Sequence, residues 1–446
     1  MLTLTVRFVL RAGLCAATLA APGFAQAAVA GTTSAAVAPV SSKALSTDGE
    51  IARAADQTTR TPARDTAWTA LSDAFMQKAR ETSDAAYYSR AEAAYRKALG
   101  VNPKCVDALA GMAWVEGGRH AFEESREWAT KALAIDAKYA AAYGLIGDAA
   151  VEMGDYDEAF DQYQKMLDVR PGLPSYSRSA HLLHVTGDTR RATWLMAKAV
   201  AAGSPYAENT AWCRAQMALI YFSDGAYLPA RQVLEEGLRL APGDYHLLAA
   251  MGKVMAGMKD YKTAIDYYSR AAAIAPQQDL VAALGDLYAV TGQPQEAQKK
   301  FALVESIASI NKANRVKGDM ITARFYADHD IHLEEALRMA QEEYKTRKSV
   351  YAADTLAWVC FKNGDLTNAR KYIALALKQN TPEALFHFHE GMIYSKSGDV
   401  GRARQSLYEA LSLSPNFDPV YAPIAMGTLH ELGMHTAGEV VAATRE

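Results

Sequence analysis

The sequence is dominated by one pattern of small and large residues that returns many times, often at an interval of 33 or 34 positions. In the stretch YGLIGDAAVEMGDYDEAFDQYQKMLDVRP, residues 143–171, Gly147 and Ala159 are small where Tyr143 and Tyr163 are large. Apolar residues recur at helical spacing on both sides of a Gly-Asp turn, which predicts two short helices. A repeat of this kind constrains the whole fold, because each unit buries its apolar face only against its neighbours.

The pattern recurs along most of the chain. Strong copies start near residues 143, 176, 217, 251, 284, 356 and 391. Weaker copies occupy residues 68–103, 108–137 and 311–348, and the last of these lacks the glycine of the turn. About ten units over residues 65–432 account for nearly all of the folded chain.

These residues resemble the tetratricopeptide repeat family, whose unit has Leu-Gly and Tyr on a first helix and Ala, an aromatic, Ala and Pro on a second. The resemblance implies an all-α fold, a right-handed superhelical solenoid of tandem helix-turn-helix repeats. Small residues at the helix crossing allow close approach of the two helices. Glycines at the ends of first helices are expected in the left-handed conformation: Gly154, Gly187, Gly225, Gly292, Gly364 and Gly398.

The N-terminus has the layout of a secretory signal peptide. Arg7 and Arg11 precede an apolar run over residues 12–21, and small residues follow. The alternative, a transmembrane anchor, needs about 20 apolar residues, and this run is shorter. We therefore expect an exported bacterial protein, periplasmic or secreted.

The chain is expected to divide into three parts. Residues 1–30 are the signal peptide, and residues 31–62, rich in Ala, Ser and Thr, are a flexible linker. Residues 63–446 form the solenoid of about ten repeats, with a C-terminal capping helix over residues 419–432.

Charge and cysteine content exclude two classes of protein. The formal net charge is −3, and loss of the two signal arginines makes it more negative, which argues against a nucleic-acid-binding surface. Cys105, Cys213 and Cys360 are far apart and lie in apolar helical patterns. We expect them to be small buried hydrophobic residues rather than part of a disulfide framework.

Nothing in the sequence predicts an enzyme or a cofactor. Phosphate-loop, nucleophile-elbow and dinucleotide-binding motifs do not occur. His329 and His332 lack a third nearby ligand, and His387 and His389 face different sides of a helix. We therefore expect no metal site and no catalytic residues.

The resemblance implies that first helices line a concave groove that receives a partner segment. Large residues at groove positions are the predicted partner-binding set: Tyr351, Asp354, Trp358, Phe361, Phe388, Met392, Trp212 and Phe222. The alternative is that these aromatic residues pack on each other inside a tightly curled superhelix.

The resemblance implies a non-catalytic scaffold or adaptor that binds a protein or peptide partner. Exported members of the family commonly serve envelope assembly or export machines, so peripheral association with a membrane complex is a further expectation. The alternative function is a sensor or carrier subunit that binds a glycan or small molecule on the groove aromatics.

Overall fold

A computed structural model describes residues 46–204 and 206–433. These residues form 22 α-helices and a short 3-10 helix over Leu377–Gln379, with no β-strand among them. The predicted signal peptide, residues 31–45 of the predicted linker and residues 434–446 lie outside the described part. The helices are α1 Thr47–Arg60, α2 Asp65–Thr82, α3 Ala86–Val101, α4 Val106–Gly118, α5 Phe122–Ile135, α6 Ala140–Met153, α7 Tyr156–Val169, α8 Leu173–Val185, α9 Thr189–Ala202, α10 Ala207–Ser223, α11 Tyr227–Leu240, α12 Tyr245–Gly257, α13 Tyr261–Ile274, α14 Gln278–Val290, α15 Pro294–Ala313, α16 Asp319–Asp328, α17 Leu333–Glu343, α18 Val350–Lys362, α19 Leu366–Ala376, α20 Ala384–Lys396, α21 Val400–Leu413 and α22 Tyr421–Glu431.

Helices α2 to α21 form ten consecutive pairs, which we call repeats 1 to 10. In each repeat, the first helix packs on its own second helix and on the first helix or second helix of a neighbour. Helix α22 covers the C-terminal end of repeat 10, where a capping helix was expected. The prediction of an all-α solenoid of tandem helix-turn-helix repeats is confirmed.

The small residues of the repeat mark the closest helix contacts. In repeat 3, a Cβ atom built on Gly147 would lie 2.3 Å from the ring of Tyr163, which is buried. The Tyr163 hydroxyl donates a hydrogen bond of 2.8 Å to Asp148 Oδ1 on the facing helix. Glycine is therefore required at this crossing because the aromatic ring occupies the space of any side chain.

The turns follow the predicted geometry. The six glycines expected to be left-handed all have φ between 68° and 83°. In repeat 8 no glycine is present, and Asp330 and His332 adopt φ values of 53° and 47° instead. Asp tolerates this conformation better than most residues, so the degenerate repeat still forms its helix pair.

The structure corrects the predicted linker over residues 31–62, because residues 47–60 of it form helix α1. Ser46 caps the helix, and Lys78 pairs with Asp48 at 2.8 Å. The Tyr206 hydroxyl donates to Glu50 Oε2 at 3.1 Å. The apolar face of the helix also packs: Ala54 joins a small cluster with Leu71 and Ala94, and Ile51 and Ala55 lie against it. This face is made of few and mostly small residues, so composition alone favoured a linker.

The superhelix contacts itself after six repeats. The turns of repeats 2 to 5 meet the loops that precede repeats 8, 9 and 10 and helix α22. The residues that form hydrogen bonds across these contacts are 192 to 197 positions apart in the sequence. We call this row of contacts the seam. Its side-chain hydrogen bonds join His120 Nδ1 with the Lys317 carbonyl (2.7 Å), Arg347 with Glu152 (2.7 Å), Thr381 with the Val185 carbonyl (2.6 Å) and Ser414 with the Phe222 carbonyl (3.2 Å).

A buried ion cluster lies at the start of the seam. Glu92 of α3 accepts a 2.7 Å hydrogen bond from Arg119, which is 1% exposed, and pairs with Arg315 from the loop before repeat 8. Burial would raise the pKa of Glu92, but these guanidinium groups and Arg96 outweigh it and lower the pKa to about 2. The cluster therefore links repeats 1, 2 and 8 through charge.

We expect Gly147→Ala to lower the free energy of unfolding by about 1–3 kcal/mol, because its Cβ must displace the Tyr163 ring. The matched control is Gly100→Ala in α3, where a Cβ has no atom within 4 Å. The control should leave stability unchanged or raise it by less than about 1 kcal/mol. Urea unfolding monitored by circular dichroism measures both, and equal midpoints for the two variants would contradict the close-packing explanation.

Glu92→Gln should destabilise the protein at pH 7 by about 2 kcal/mol, because Arg119 loses its charged acceptor. The folded-state pKa of Glu92 is lowered, so its contribution is fully present above the ordinary carboxylate pKa. That contribution is lost as the pH falls from about 4.5 towards about 2. The difference in urea midpoint between wild type and variant should shrink over this range, and a constant difference would refute the assignment.

Candidate partner-binding chamber

One superhelical turn borders a half-open cavity of about 520 Å³. Its wall is formed by the first helices of repeats 5 to 10, namely α10, α12, α14, α16, α18 and α20, together with residues 416–419. We call this cavity the chamber. On one side its wall is continuous, because the turn of repeat 5 meets residues 413–416 at the seam, where the Tyr227 hydroxyl accepts from the Asn416 amide at 3.0 Å.

The apolar part of the chamber wall comes from several repeats. Leu219 belongs to repeat 5, Ile321 to repeat 8, Tyr351 to repeat 9 and Leu385 to repeat 10. All four side chains are half-buried, so each keeps some surface towards the cavity. A ligand in the chamber would therefore touch apolar groups on more than one side.

The wall also carries more acidic than basic groups. Its carboxylates are Asp279, Asp286, Asp328, Glu383 and Asp418, and its cations are Lys253, Arg324 and Arg347. Arg347 pairs with Glu152 and Glu343, and Arg324 pairs with Asp328 at 3.4 Å. Among the described residues, Asp279 and Glu383 form no ion pair, so they leave negative charge in the chamber.

The titration behaviour of two groups reflects this charge. Burial raises the pKa of Asp418, and the carboxylates of Asp286 and Asp328 raise it further. Burial would lower the pKa of His329, but the 3.0 Å contact with Asp286 outweighs it and raises that pKa. Both directions are those expected in a negative local field.

The structure corrects the prediction that Trp358 forms an exposed contact. Its side chain is 2% exposed and lies between the rings of Phe361, at 4.9 Å, and His389, at 4.2 Å, both nearly parallel to it. Its indole nitrogen donates a 2.8 Å hydrogen bond to Asp328 Oδ1, which also accepts from Tyr421 at 2.7 Å. Trp358 thus joins repeats 8, 9 and α22 in the core.

Asp354, Phe388 and Phe222 are also buried, which corrects their expected exposure. Asp354 accepts a 2.8 Å hydrogen bond from His389 Nδ1, and both side chains are fully buried. Phe388 stacks on Tyr421 at 4.9 Å. Phe222 borders the chamber but is only 4% exposed. The alternative stated in the sequence analysis, that the aromatic residues pack on each other inside the superhelix, therefore holds for Phe388 and Phe222.

The other predicted binding residues are half-buried. Tyr351 lines the chamber, whereas Phe361 and Met392 pack beside the Trp358 core. Trp212 packs on the core between repeats 4 and 5. Their role in binding a partner stays a prediction, and the geometry favours Tyr351.

Sequence reasoning missed the contribution of repeat 8. Ile321, Arg324 and Asp328 lie on α16 and face the chamber, as does Asp418 before α22. The missing turn glycine obscured the phase of this repeat, although Ala336 of its second helix fits the pattern. Aligning the repeat on Ala336 would have placed α16 in the wall.

Two further features concern sites of other kinds. Over residues 46–204 and 206–433, no three His, Cys, Asp or Glu side chains are grouped so that they could hold a metal ion. Within the same ranges, no helix has the length and apolar character needed to cross a membrane. Cys105, Cys213 and Cys360 are free and buried, as predicted.

Comparison with known proteins identifies the repeats. Models of the tetratricopeptide repeat match residues 140–172, which span repeat 3, and residues 355–416, which span most of repeats 9 and 10. A search of curated proteins finds no match.

Solved structures that resemble the chain include three helical-repeat proteins. The Cut9–Hcn1 hetero-tetramer of the APC/C matches with 13% identity and a TM-score of 0.39, over 87% of this chain and 93% of that one. Yeast Tom70 matches with 13% identity and a TM-score of 0.38, over 90% and 100%. YrrB, a TPR protein with an unusual peptide-binding site, matches with 21% identity and a TM-score of 0.29, over 42% and 94%. The matches of the family models, together with the ten helix pairs, show that the chain contains tetratricopeptide repeats.

Proposed function

We propose that the protein is a non-catalytic scaffold that holds a segment of a partner protein in the chamber. The observation that carries this proposal is the chamber itself, a cavity of about 520 Å³ walled by the first helices of six successive repeats. Tetratricopeptide repeats generally mediate protein–protein interaction, and a half-open cavity bordered by many helices suits a ligand of peptide size.

The wall chemistry favours a segment with a basic side chain among apolar ones. Asp279 and Glu383 form no ion pair among the described residues, so a lysine or arginine of the partner would find carboxylates there that are open to pairing. Leu219, Ile321 and Leu385 supply apolar contacts around these carboxylates. Charge complementarity of this kind contributes specificity and rate of association more than affinity.

The alternative function, binding of a glycan by aromatic stacking, is not favoured. A sugar ring needs the open face of an aromatic side chain. Both faces of Trp358 are covered, by Phe361 and His389, and Phe388 is 1% exposed. The aromatic residues of this region stabilise the core instead.

Export remains part of the proposal. It is supported by Arg7, Arg11 and the apolar run over residues 12–21, followed by small residues. The proposed partner then belongs to the bacterial envelope or the extracellular space, and association with an envelope assembly or export machine would be peripheral.

Photo-crosslinking tests the chamber. With p-benzoylphenylalanine at Leu385, inside the chamber, we expect capture of one partner protein in the native cell. The same group at Leu228, which is 62% exposed on the second helix of repeat 5, is the matched control and should not capture it. Mass spectrometry should map the linked residues to a segment that contains lysine or arginine.

Charge reversal extends this test. The double variant Asp279→Lys, Glu383→Lys should reduce capture about tenfold, corresponding to about 1.4 kcal/mol. The control Asp266→Lys, Glu296→Lys changes charge equally on exposed second helices and should leave capture unchanged. Equal capture from Leu228, or equal loss in both double variants, would overturn the chamber as the binding site.

The export proposal predicts a shortened mature protein. N-terminal sequencing of protein isolated from the native organism should give a start near residues 26–31, because small residues precede this region. Replacing Arg7 and Arg11 with Glu should retain full-length protein in the cytoplasm. A mature N-terminus at Met1 in the wild type would contradict export by this route.

A further inference from the structure

The seam joins two different edges of the solenoid. One edge carries the turns between the two helices of each repeat, and we call it the turn edge. The other carries the loops between successive repeats, and we call it the loop edge. In the seam, the turn edge of repeats 2 to 5 meets the loop edge before repeats 8, 9 and 10 and α22. Later turns and earlier loops therefore offer the two halves of the same contact.

An apolar core crosses the seam and makes it a firm contact. Tyr156 and Val185, from repeats 3 and 4, are buried in one cluster with Val350 and Phe386 from repeats 9 and 10. The Val350 amide also donates a 2.9 Å hydrogen bond to the Tyr156 hydroxyl. A contact of the same form between two molecules would likewise remove apolar surface from water.

The turn edge of repeats 7 to 10 has the form found in the seam but no opposite loop. A Cβ atom built on a seam glycine would lie 2.5–2.8 Å from a carbonyl oxygen of the opposite loop, as found for Gly154, Gly187 and Gly225. Three later turn glycines have the same left-handed φ, yet a Cβ there would have no atom within 4 Å: Gly292, Gly364 and Gly398. Apolar residues beside these later turns are 36–41% exposed: Val290, Ile331 and Val400.

The loops before repeats 2, 3 and 4 expose the matching loop edge. Each of them follows an apolar residue that ends a second helix and is 40–44% exposed: Val101, Ile135 and Val169. Leu413, the equivalent residue before α22, is half-buried where the turn of repeat 5 meets its carbonyl oxygen. The row of exposed residues is thus the uncovered counterpart of a contact that the chain makes elsewhere.

Charge has the same polarity on the free edges as in the seam. Within the seam, the turn side supplies the acid and the loop side supplies the base: Glu124 pairs with Lys317 at 3.5 Å and Glu152 with Arg347 at 2.7 Å. On the free edges, the loops carry bases and the turn of repeat 8 is followed by acids. These residues are exposed and form no ion pair within the described part of the chain: Lys104, Lys138, Arg170, Glu334 and Glu335.

We propose that the turn edge of repeats 7 to 10 binds the loop edge before repeats 2 to 4 of a second copy of this chain, so that the superhelix continues from one molecule into the next. The contact is heterologous, because a different surface of each copy takes part. Every copy then keeps one free edge, which permits longer rows of molecules. This inference goes beyond the proposed function and does not depend on it.

Sedimentation velocity of protein purified from the native cell tests the contact. The sedimentation coefficient of the wild type should rise with protein concentration. A loop variant, Lys104→Glu, Lys138→Glu, Arg170→Glu, and a turn variant, Glu334→Lys, Glu335→Lys, place like charges opposite each other. Each variant alone should associate at least about tenfold more weakly, corresponding to about 1.4 kcal/mol.

An equal mixture of the two variants distinguishes this contact from one between like edges. The acidic loop edge of the first fits the basic turn edge of the second, and the unchanged edges fit each other, so association should return towards the wild-type level. The matched control, Lys97→Glu, Lys131→Glu, Lys165→Glu, changes three exposed lysines on second helices of repeats 1 to 3 and should associate as the wild type does.

A steric variant keeps the test decisive if charge contributes little. Gly364→Asn with Gly398→Asn places a Cβ in open space within one molecule, and Asn tolerates left-handed φ, so the urea midpoint should change little. Association should be lost, because this Cβ would meet the opposite loop as it would at Gly154.

Three results would overturn the proposal. One is a wild type that sediments as a single species at every concentration, which would mean that another occupant, or none, covers these edges. Another is a mixture of loop and turn variants that associates no better than either alone. The third is unchanged association of the steric variant. Photo-crosslinking from Leu385 in the chamber is independent of all three, so the proposed function stands or fails separately.

Discussion

Contact of the superhelix with itself after six repeats determines the rest of this structure. A solenoid whose successive superhelical turns did not touch would present an open groove. Here the helix–helix turns of repeats 2 to 5 form hydrogen bonds with four successive loops later in the chain. Gly154 shows how close the approach is, since a Cβ there would lie 2.5 Å from the Lys348 carbonyl oxygen. The same glycine satisfies a left-handed helix end and a backbone contact between turns, so one residue serves local and long-range structure together.

Charge connects the seam with the chamber. Arg347 forms ion pairs with Glu152 from the earlier superhelical turn and with Glu343 at the end of α17, and it also borders the cavity. Arg324 also lines the cavity: burial would lower its pKa, but Asp328 and Asp354 raise it, so the guanidinium stays charged. Partly buried cations with acids on several sides contribute less net stability than their number of contacts suggests, because desolvation offsets much of the attraction.

The sequence predicted the features that depend on spacing within one repeat. It did not predict the features that depend on contacts with residues far away in the chain. Gly147 with Tyr163, and the left-handed turn at Gly154, follow from residues within one repeat, and both are found. Helix α1 was missed because the residues that hold it, among them Leu71, Lys78 and Tyr206, lie outside its own sequence. The burial of Trp358 was left open because it depends on how tightly the superhelix curls, which no single repeat encodes. Its partners Asp328 and Tyr421 come from repeat 8 and from α22.

The weakest copy of the repeat is also the one that organises the chamber. Repeat 8 lacks the turn glycine, yet its α16 supplies Arg324 and Asp328 to the wall, and Asp328 accepts hydrogen bonds from both Trp358 and Tyr421. A chain departs from its own local rules mainly where another requirement constrains the residues. In repeat 8 that requirement is polar: α16 must hold the Trp358 core together on one face and present charge to the chamber on the other.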